Sequence, residues 1–223
     1  PAQHDLGRGL LAALAQAHEV APALETPASG QKQQLLSGAC RLQSMGDPQS
    51  PRDVEDLEHG WLHARHSFSF GEFHDPDFMG FHTMRVLNDD RIDPGEGFGT
   101  HPHRDMEIIS YVVSGALRHQ DSMGNSGRTE AGDVQVMSAG TGIRHAEYNL
   151  EDVTTTLFQI WVIPRARGGS PSWGAKPFPR GERSSKLVVL ASGYDEDAEA
   201  LRIRADARLL GGTIRAGSST EKA

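Results

Sequence analysis

The sequence predicts an all-β protein built as an antiparallel barrel or sandwich. Twenty-five glycines and twelve prolines among 223 residues favour a turn-rich body. Several short segments are rich in β-branched or long apolar residues and are separated by turn residues. These predicted strands are residues 82–88, 106–113, 116–121, 133–138, 155–163, 186–191 and 209–215.

The N-terminal part differs in composition from this body. Residues 5–20 carry Leu6, Leu10, Leu11 and Leu14 at helical spacing, which predicts a short amphipathic helix. Residues 21–51 are dominated by Pro, Gln, Ser, Gly and Ala without a sustained period, which indicates a linker or a disordered extension. We therefore expect residues 1–55 to form an N-terminal extension outside the main domain.

Two glycine-containing segments predict tight turns. Residues 120–127 contain several residues that tolerate positive φ, which favours a hairpin loop. Residues 139–142, Ala-Gly-Thr-Gly, lie just before His145 and allow a tight turn of the backbone beneath a site.

Length and charge narrow the class of protein. The hydrophobic fraction of 37% suits one well-buried domain with a smaller appendage. Apolar runs fall short of the roughly 18 to 20 residues of a membrane helix, and no basic segment precedes an apolar one at the N-terminus, so we expect neither a secreted nor a membrane protein. Cys40 is the single cysteine and cannot form an internal disulfide, which indicates a reducing, cytoplasmic setting. The formal charge of -8 argues against a general nucleic-acid-binding surface.

Two ligand pairs suggest a metal site. His101 and His103 are two residues apart, as are His145 and Glu147, and residues at this spacing on a strand point to the same side. Histidines flanking a proline are common on surfaces, so the first pair alone is weak. The second pair follows after turn signals that bring a strand back beside its neighbour. Together the four side chains suit iron, manganese, nickel, copper or zinc.

The same region resembles known sequence motifs. Residues 95–107 with Gly115, and residues 132–149, resemble the two motifs of the cupin superfamily. A longer pattern is similar to the pirin family from about Gly60 to Ala191, and weakly to about Ile214. It comprises His66–Phe70, Asp75–Gly80, Phe98–Tyr111, Asp121–Asn125 and Met137–His145. The resemblance implies a cupin, jelly-roll-like β-barrel, and we expect residues 56–191 to be the metal-binding domain.

The resemblance also implies a site and an activity. His101, His103, His145 and Glu147 would ligate one non-haem iron, and several pirins show quercetin 2,3-dioxygenase activity. The leading hypothesis is therefore a metal-dependent dioxygenase that cleaves a flavonol or a related enol-bearing aromatic. The alternative is a non-catalytic, redox-sensitive iron protein that acts on a regulatory protein partner, and a third is a sugar isomerase or small-molecule-binding cupin.

The donor set suits an oxygenase. Three neutral imidazoles and one carboxylate leave about two open positions on an octahedral ion for substrate and dioxygen. A flavonol would bind through its deprotonated 3-hydroxyl, and Glu147 is the candidate catalytic group that accepts the hydroxyl proton if it loosens from the metal.

Other residues near the pairs have weaker claims. Glu107 stands where many cupins place a glutamate ligand, but a carboxylate paired with Arg104 or Arg144 is favoured. The nearest candidates for orienting the imidazoles are Asp105, Ser138 and Thr141. Candidates for an aromatic-binding wall, with ordinary core packing favoured, are Phe98, Met106, Met137 and Phe158. The histidines outside both pairs, expected to be mostly surface or hydrogen-bonded, are His63, His66, His74, His82 and His119.

The C-terminal part departs from the pirin pattern. Pirins are generally two cupin domains in tandem, and a second barrel needs on the order of 80 to 100 residues. Residues 192–223 therefore predict only the start of a truncated second domain, with residues 207–213 as its opening strand. An exposed strand edge and an apolar face are expected there, to be covered by a homodimer or by the N-terminal helix.

Overall fold

The structure, a computed structural model, describes residues 8–13, 21–28, 55–178 and 186–212. Within these ranges every regular element is a strand. The strands are β1 (Arg8–Ala13), β2 (Ala21–Ala28), β3 (Glu55–Glu58), β4 (Leu62–His66), β5 (Met84–Ile92), β6 (Gly97–His103), β7 (Glu107–Ser114), β8 (Ala116–Asp121), β9 (Ser126–Glu130), β10 (Val134–Ser138), β11 (Ile143–Tyr148), β12 (Thr155–Val162), β13 (Ser172–Lys176), β14 (Val188–Ser192), β15 (Leu201–Arg202) and β16 (Arg208–Gly212).

These strands form three sheets that pack in layers. The middle layer is a seven-stranded antiparallel sheet in the order β13-β10-β7-β12-β5-β4-β3. One of its faces packs on a four-stranded sheet, β6-β11-β8-β9, where Leu117 of β8 contacts the same apolar cluster as Leu157 of β12. The other face packs on a five-stranded sheet, β1-β2-β16-β14-β15, where Leu209 of β16 joins the cluster of Ile160.

Strand sequence reflects this layering. The first six residues of β7 are all buried, because both faces of this central strand are covered. Strand β4 lies closer to the edge of the sheet and alternates buried and exposed residues, with Leu62, Ala64 and His66 buried. The all-β class and cupin barrel predicted from the sequence are confirmed, and all seven predicted strands have a counterpart in the described residues. Residues 213–215 of the last predicted strand lie outside that part.

Both predicted turns are also confirmed. Strands β8 and β9 form an antiparallel hairpin, with Gly124 at φ 87° in its loop. Gly140 has φ 47°, and a side chain there would clash with the carbonyl oxygen of Gly169. The backbone beneath His145 therefore depends on glycine at this position.

The predicted N-terminal helix is wrong where the structure describes that segment. Arg8–Ala13 is a strand paired along its whole length with β2, which itself falls in the segment predicted as a linker. Helical spacing is a weak preference, and backbone pairing to a neighbouring strand overrides it. The rest of residues 1–55 up to β3, including Cys40, lies outside the described part.

The expected exposed edge near residues 207–213 is also wrong for the described residues. Strand β16 is paired on one side with β14 and on the other with β2. An N-terminal strand covers this edge, where a helix or a second copy was expected. The boundary between the expected domains at residue 191 stays a prediction. In the described part of the chain, no helix has the length and apolar character needed to cross a membrane.

Candidate metal centre

Three of the four predicted ligands meet at one end of the barrel. His101 and His103 lie on β6, and His145 lies directly opposite His101 on β11. Their ring centroids are 4.7 Å apart for His101 and His103, 4.4 Å for His101 and His145, and 4.9 Å for His103 and His145. One nitrogen from each ring lies within 4.8 Å of the other two, which is close enough for a shared ion.

Hydrogen bonds occupy Nδ1 of His101 and of His145 and leave Nε2 of both rings available. Nδ1 of His101 lies 2.7 Å from the carbonyl oxygen of Gly99, so Nε2 of that ring is free to bind. Nδ1 of His145 lies 3.4 Å from Nδ1 of His119. Nε2 of His145 is buried and has no hydrogen-bond partner among the described residues. A buried imidazole nitrogen left without a partner fits a metal ligand.

Burial keeps the imidazoles of His103 and His145 neutral. It lowers the pKa of His103 to about 4, with His101 adding to the effect. The pKa of His145 falls to about 2, mainly through burial and then through the neighbouring His101 and His103. Neutral imidazole is the form that binds a divalent metal, so His103 and His145 are already in the ligating state at neutral pH.

Glu147 faces the same interior but is held by polar side chains. Its Oε2 accepts a hydrogen bond of 2.7 Å from the Gln159 amide, and its Oε1 accepts from Gln135 at 2.5 Å and from Ser110 at 3.3 Å. One carboxylate oxygen of Glu147 lies within 4.8 Å of a ring nitrogen of His119 and of one of His145. Glu147 is not part of the group formed by His101, His103 and His145. A register shift between His145 and Glu147 in the pairing with β6 accompanies this displacement.

The carboxyl of Glu147 is placed for proton exchange near neutral pH. Burial raises its pKa to about 7, against the hydrogen bonds from Gln159, Ser110 and Gln135, which favour the charged form. A general base works best when its pKa lies near the working pH.

Glu107 lies away from the histidine group. It alternates with Ile108 and Ser110 along β7, so it faces the opposite side of the sheet. Its Oε2 accepts from the Ser138 hydroxyl at 2.6 Å and from the backbone N–H of Arg204 at 3.0 Å. Glu107 thus lies outside the histidine group, but the predicted partners Arg104 and Arg144 are wrong, because strand alternation turns it toward Ser138 and the backbone of Arg204.

The three predicted orienting residues are wrong. Ser138 donates to Glu107, Asp105 accepts from the backbone N–H of Gly168 at 2.6 Å, and Thr141 is exposed. His119, which sequence spacing placed outside the ligand pairs, is instead the residue that contacts His145. The signal that identifies it is the His-x-Asp spacing to Asp121, two strand residues on one face just before a turn.

The apolar wall beside the histidines differs from the predicted one. Trp161 packs edge-on against His103 at 4.8 Å, whereas Phe98 lies 6.5 Å from His101. Met106 and Met137 cluster with Trp161 and Trp173. Phe158 belongs to the core on the other face of the sheet.

Among the remaining histidines, His63 and His66 differ in exposure. His63 lies 3.4 Å from Glu58 with about half of its side chain exposed. His66 is buried against Phe70, and its Nδ1 has no hydrogen-bond partner in the described part of the chain. His66 therefore departs from the expectation of a surface or hydrogen-bonded side chain.

Comparisons with known proteins agree with this geometry. The Pirin family model matches residues 49–162. A pirin-like protein of Caulobacter vibrioides is 63% identical over 163 residues, which cover 73% of this chain and 70% of that protein. The quercetin 2,3-dioxygenase of Escherichia coli K12 is 54% identical over 121 residues, 54% of this chain and 52% of that protein. The crystal structure of the E. coli pirin YhhW in complex with nickel(II) has a TM-score of 0.64 at 44% identity, covering 69% of this chain and 65% of that one.

The fold and the histidine group define a cupin with a site suited to a divalent metal ion. The chain spans about half to seven-tenths of the length of these relatives. It belongs to the pirin family.

Proposed function

We propose that His101, His103 and His145 hold one divalent metal ion, with Glu147 as the fourth ligand. The observation that carries this proposal is the buried Nε2 of His145, unpartnered among the described residues, beside the imidazoles of His101 and His103. The nickel complex of a pirin at 44% identity supports it. Iron is the ion we propose, and manganese, nickel, copper and zinc suit the same donors.

The proposed reaction is the oxygenative cleavage of a flavonol such as quercetin, or of a related enol-bearing aromatic. The name of the E. coli relative at 54% identity supports this choice. A transition metal bound at the site would supply Lewis-acid chemistry and positions for dioxygen and substrate. Dioxygen is the oxidant and both of its atoms enter the products, so the reaction needs no separate reductant.

In this proposal Glu147 takes the proton of the substrate hydroxyl. A flavonol must lose its 3-hydroxyl proton to bind as an anion, and Glu147 accepts that proton once it loosens from the metal, because burial then raises its pKa to about 7. The amides of Gln135 and Gln159 donate to the two oxygens of the carboxylate, which fixes its orientation and favours its charged form.

The aromatic wall would position the substrate. The indole of Trp161 contacts His103, and its Nε1 is buried without a hydrogen-bond partner among the described residues. It offers an apolar face for an aromatic ring and an N–H donor for a substrate oxygen.

A metal-loading experiment tests the proposal. Purified protein is stripped of metal, reloaded separately with Fe(II), Mn(II), Ni(II) or Cu(II), and mixed aerobically with quercetin while the flavonol absorption band is followed. We expect one ion per chain, oxygen-dependent bleaching with at least one metal, and loss of both in His101→Ala. The control is His63→Ala, which removes an exposed histidine outside the site.

The outcomes separate the two candidate functions. Metal binding without bleaching by any of these ions would refute the dioxygenase proposal and leave the regulatory alternative, for which a protein partner must bind one oxidation state of the iron. Equal metal content in the wild type and in His101→Ala would refute the site itself.

The role of Glu147 has its own test. Glu147→Gln keeps the shape of the side chain, so we expect metal to remain bound and turnover to fall by about 10²-fold or more, the usual contribution of a general base. Wild-type turnover in this variant would exclude Glu147 as the base.

A further inference from the structure

His119 and Asp121 lie on the same interior face as the candidate ligands. In the pairing of β8 with β11, Asp121 is directly opposite His145, and His119 is directly opposite Glu147. Residues directly opposite each other in an antiparallel pair point to the same side of the sheet. The backbone therefore places both side chains against the ligand strand.

Hydrogen bonds connect these residues in a chain. Nε2 of His119 lies 3.2 Å from Oδ2 of Asp121, and Nδ1 of His119 lies 3.4 Å from Nδ1 of His145. Neither His119 nor Asp121 exposes its side chain to solvent. Both nitrogens of His119 are thus hydrogen-bonded, one to Asp121 and one to His145.

The chemistry of donors and acceptors then fixes every proton. An ionised carboxylate only accepts hydrogen bonds, so Nε2 of His119 carries its proton and Nδ1 of the neutral ring is an acceptor. Nδ1 of His145 must in turn be the donor. Its Nε2 is left with a bare lone pair, and this is the buried nitrogen without a partner in the described part of the chain.

The surroundings hold this chain in place. Oδ1 of Asp121 accepts from the backbone N–H groups of Met123 and Asn125 at 2.9 and 3.0 Å, and its Oδ2 accepts from the Asn125 amide at 2.9 Å. The ring of His119 stacks on Trp173 at 4.7 Å with an interplanar angle of 6°. A side chain at Gly127 would clash with that indole. The ring plane and the carboxylate are therefore both fixed before any metal binds.

We propose that His119 is a positioning residue, set by Asp121, which selects the tautomer of His145 that presents Nε2 to the metal. This inference rests on the metal site of the proposed function, but not on the flavonol reaction. It assigns the Asp-x-x-x-Asn turn after β8 a role in the metal centre, because that turn fixes the carboxylate from which the proton order follows.

Asp121→Asn gives the sharpest test. The amide oxygen keeps the two backbone N–H groups, which turns the NH₂ toward His119 and makes Nε2 of His119 an acceptor. The proton order reverses, and Nε2 of His145 becomes protonated. We expect the affinity for Ni(II), measured by titration calorimetry, to fall about 10- to 100-fold. The control is Asp105→Asn, which makes the same change beside His103 at a carboxylate that bonds only a backbone N–H in the described structure.

Imidazole ¹⁵N spectra of the metal-free protein report the tautomers directly. The wild type should show His145 protonated at Nδ1 and His119 protonated at Nε2, and both patterns should reverse in Asp121→Asn. Should Asp121→Asn not fold, His119→Phe keeps the ring against Trp173 and removes the acceptor, with a similar loss of Ni(II) affinity expected.

Each result bears on one proposal. A wild-type His145 protonated at Nε2, or unchanged Ni(II) affinity in both Asp121→Asn and His119→Phe, would overturn the positioning role. Absence of Ni(II) binding by the wild type would overturn the metal site, and the tautomer spectra would still decide the proton order. Neither the Ni(II) titration nor the ¹⁵N spectra depend on quercetin turnover. A failure of the flavonol reaction therefore leaves both results unchanged.

Discussion

The buried carboxyl of Asp90 should make the free energy of unfolding depend on pH. It lies on β5 opposite Ala64 and Leu157, is 2% exposed, and its Oδ1 has no hydrogen-bond partner among the described residues. Burial, with smaller contributions from Asp89 and Glu147, raises its pKa from 3.8 to about 8. The folded protein therefore keeps a proton that the unfolded chain has already lost.

The sign and size follow from proton binding. Between pH 4 and 8 the folded state binds about one proton more than the unfolded state at this residue, so the free energy of unfolding falls as pH rises. The slope is about 1.4 kcal/mol per pH unit, or about 2.7 kcal/mol between pH 5 and 7. Asp90→Asn cannot ionise and loses this dependence.

Urea unfolding of metal-free protein at pH 5, 6 and 7 measures the effect. Relative to the wild type, the free energy of unfolding of Asp90→Asn should increase by about 2.7 kcal/mol from pH 5 to pH 7. Asp152→Asn makes the same change at an exposed residue and should follow the wild type. Parallel curves for wild type and Asp90→Asn would show that Asp90 is ionised in the folded protein, and the reasoning would fail.

Three further substitutions test the packing and the site. Gly97→Ala places a methyl group against the backbone of Glu147 and Tyr148, so we expect β6 and β11 to separate and Ni(II) affinity to fall; an affinity equal to the wild type would contradict this. Ile109→Ala empties a fully buried position and should cost about 2 to 5 kcal/mol in chemical denaturation, against less than about 1 for an exposed residue. Gln159→Leu removes a donor to Oε2 of Glu147, so the acidic limb of the rate profile should move up by about one pH unit, and an unmoved limb would argue against Glu147 as the base.

Local patterns in the sequence predicted most of the fold. Strands such as β7 and β12 carry enough β-branched and apolar residues to be recognised alone, and glycine marked the turns at Gly124 and Gly140. The prediction for Arg8–Ala13 failed because its leucines are also compatible with helical spacing and because its pairing partner β2 lies in a segment without a strand pattern. Strand structure that depends on pairing with a neighbour leaves little trace in the spacing of a single segment.

In the candidate site, the histidine ligands were predictable from the sequence and the residues that support them were not. Spacing along the chain was sufficient to place His101, His103 and His145 together, because each pair lies on one strand. The residues that support them come from other strands: His119 reaches His145 from β8, and Gln135 and Gln159 reach Glu147 from β10 and β12. Candidates chosen for nearness in sequence, such as Asp105, therefore pointed elsewhere.

The pairing of β2 with β16 joins Glu25 to Arg208, so nearly the whole described chain lies between two neighbouring strands. Contacts between such distant positions form slowly, because a long loop must close first. During synthesis the hairpin of β1 and β2 leaves the ribosome before all the strands between β2 and β16, and it gains this partner only when β16 emerges. The five-stranded sheet is thus completed last, and the rate of that closure should limit how fast the protein matures.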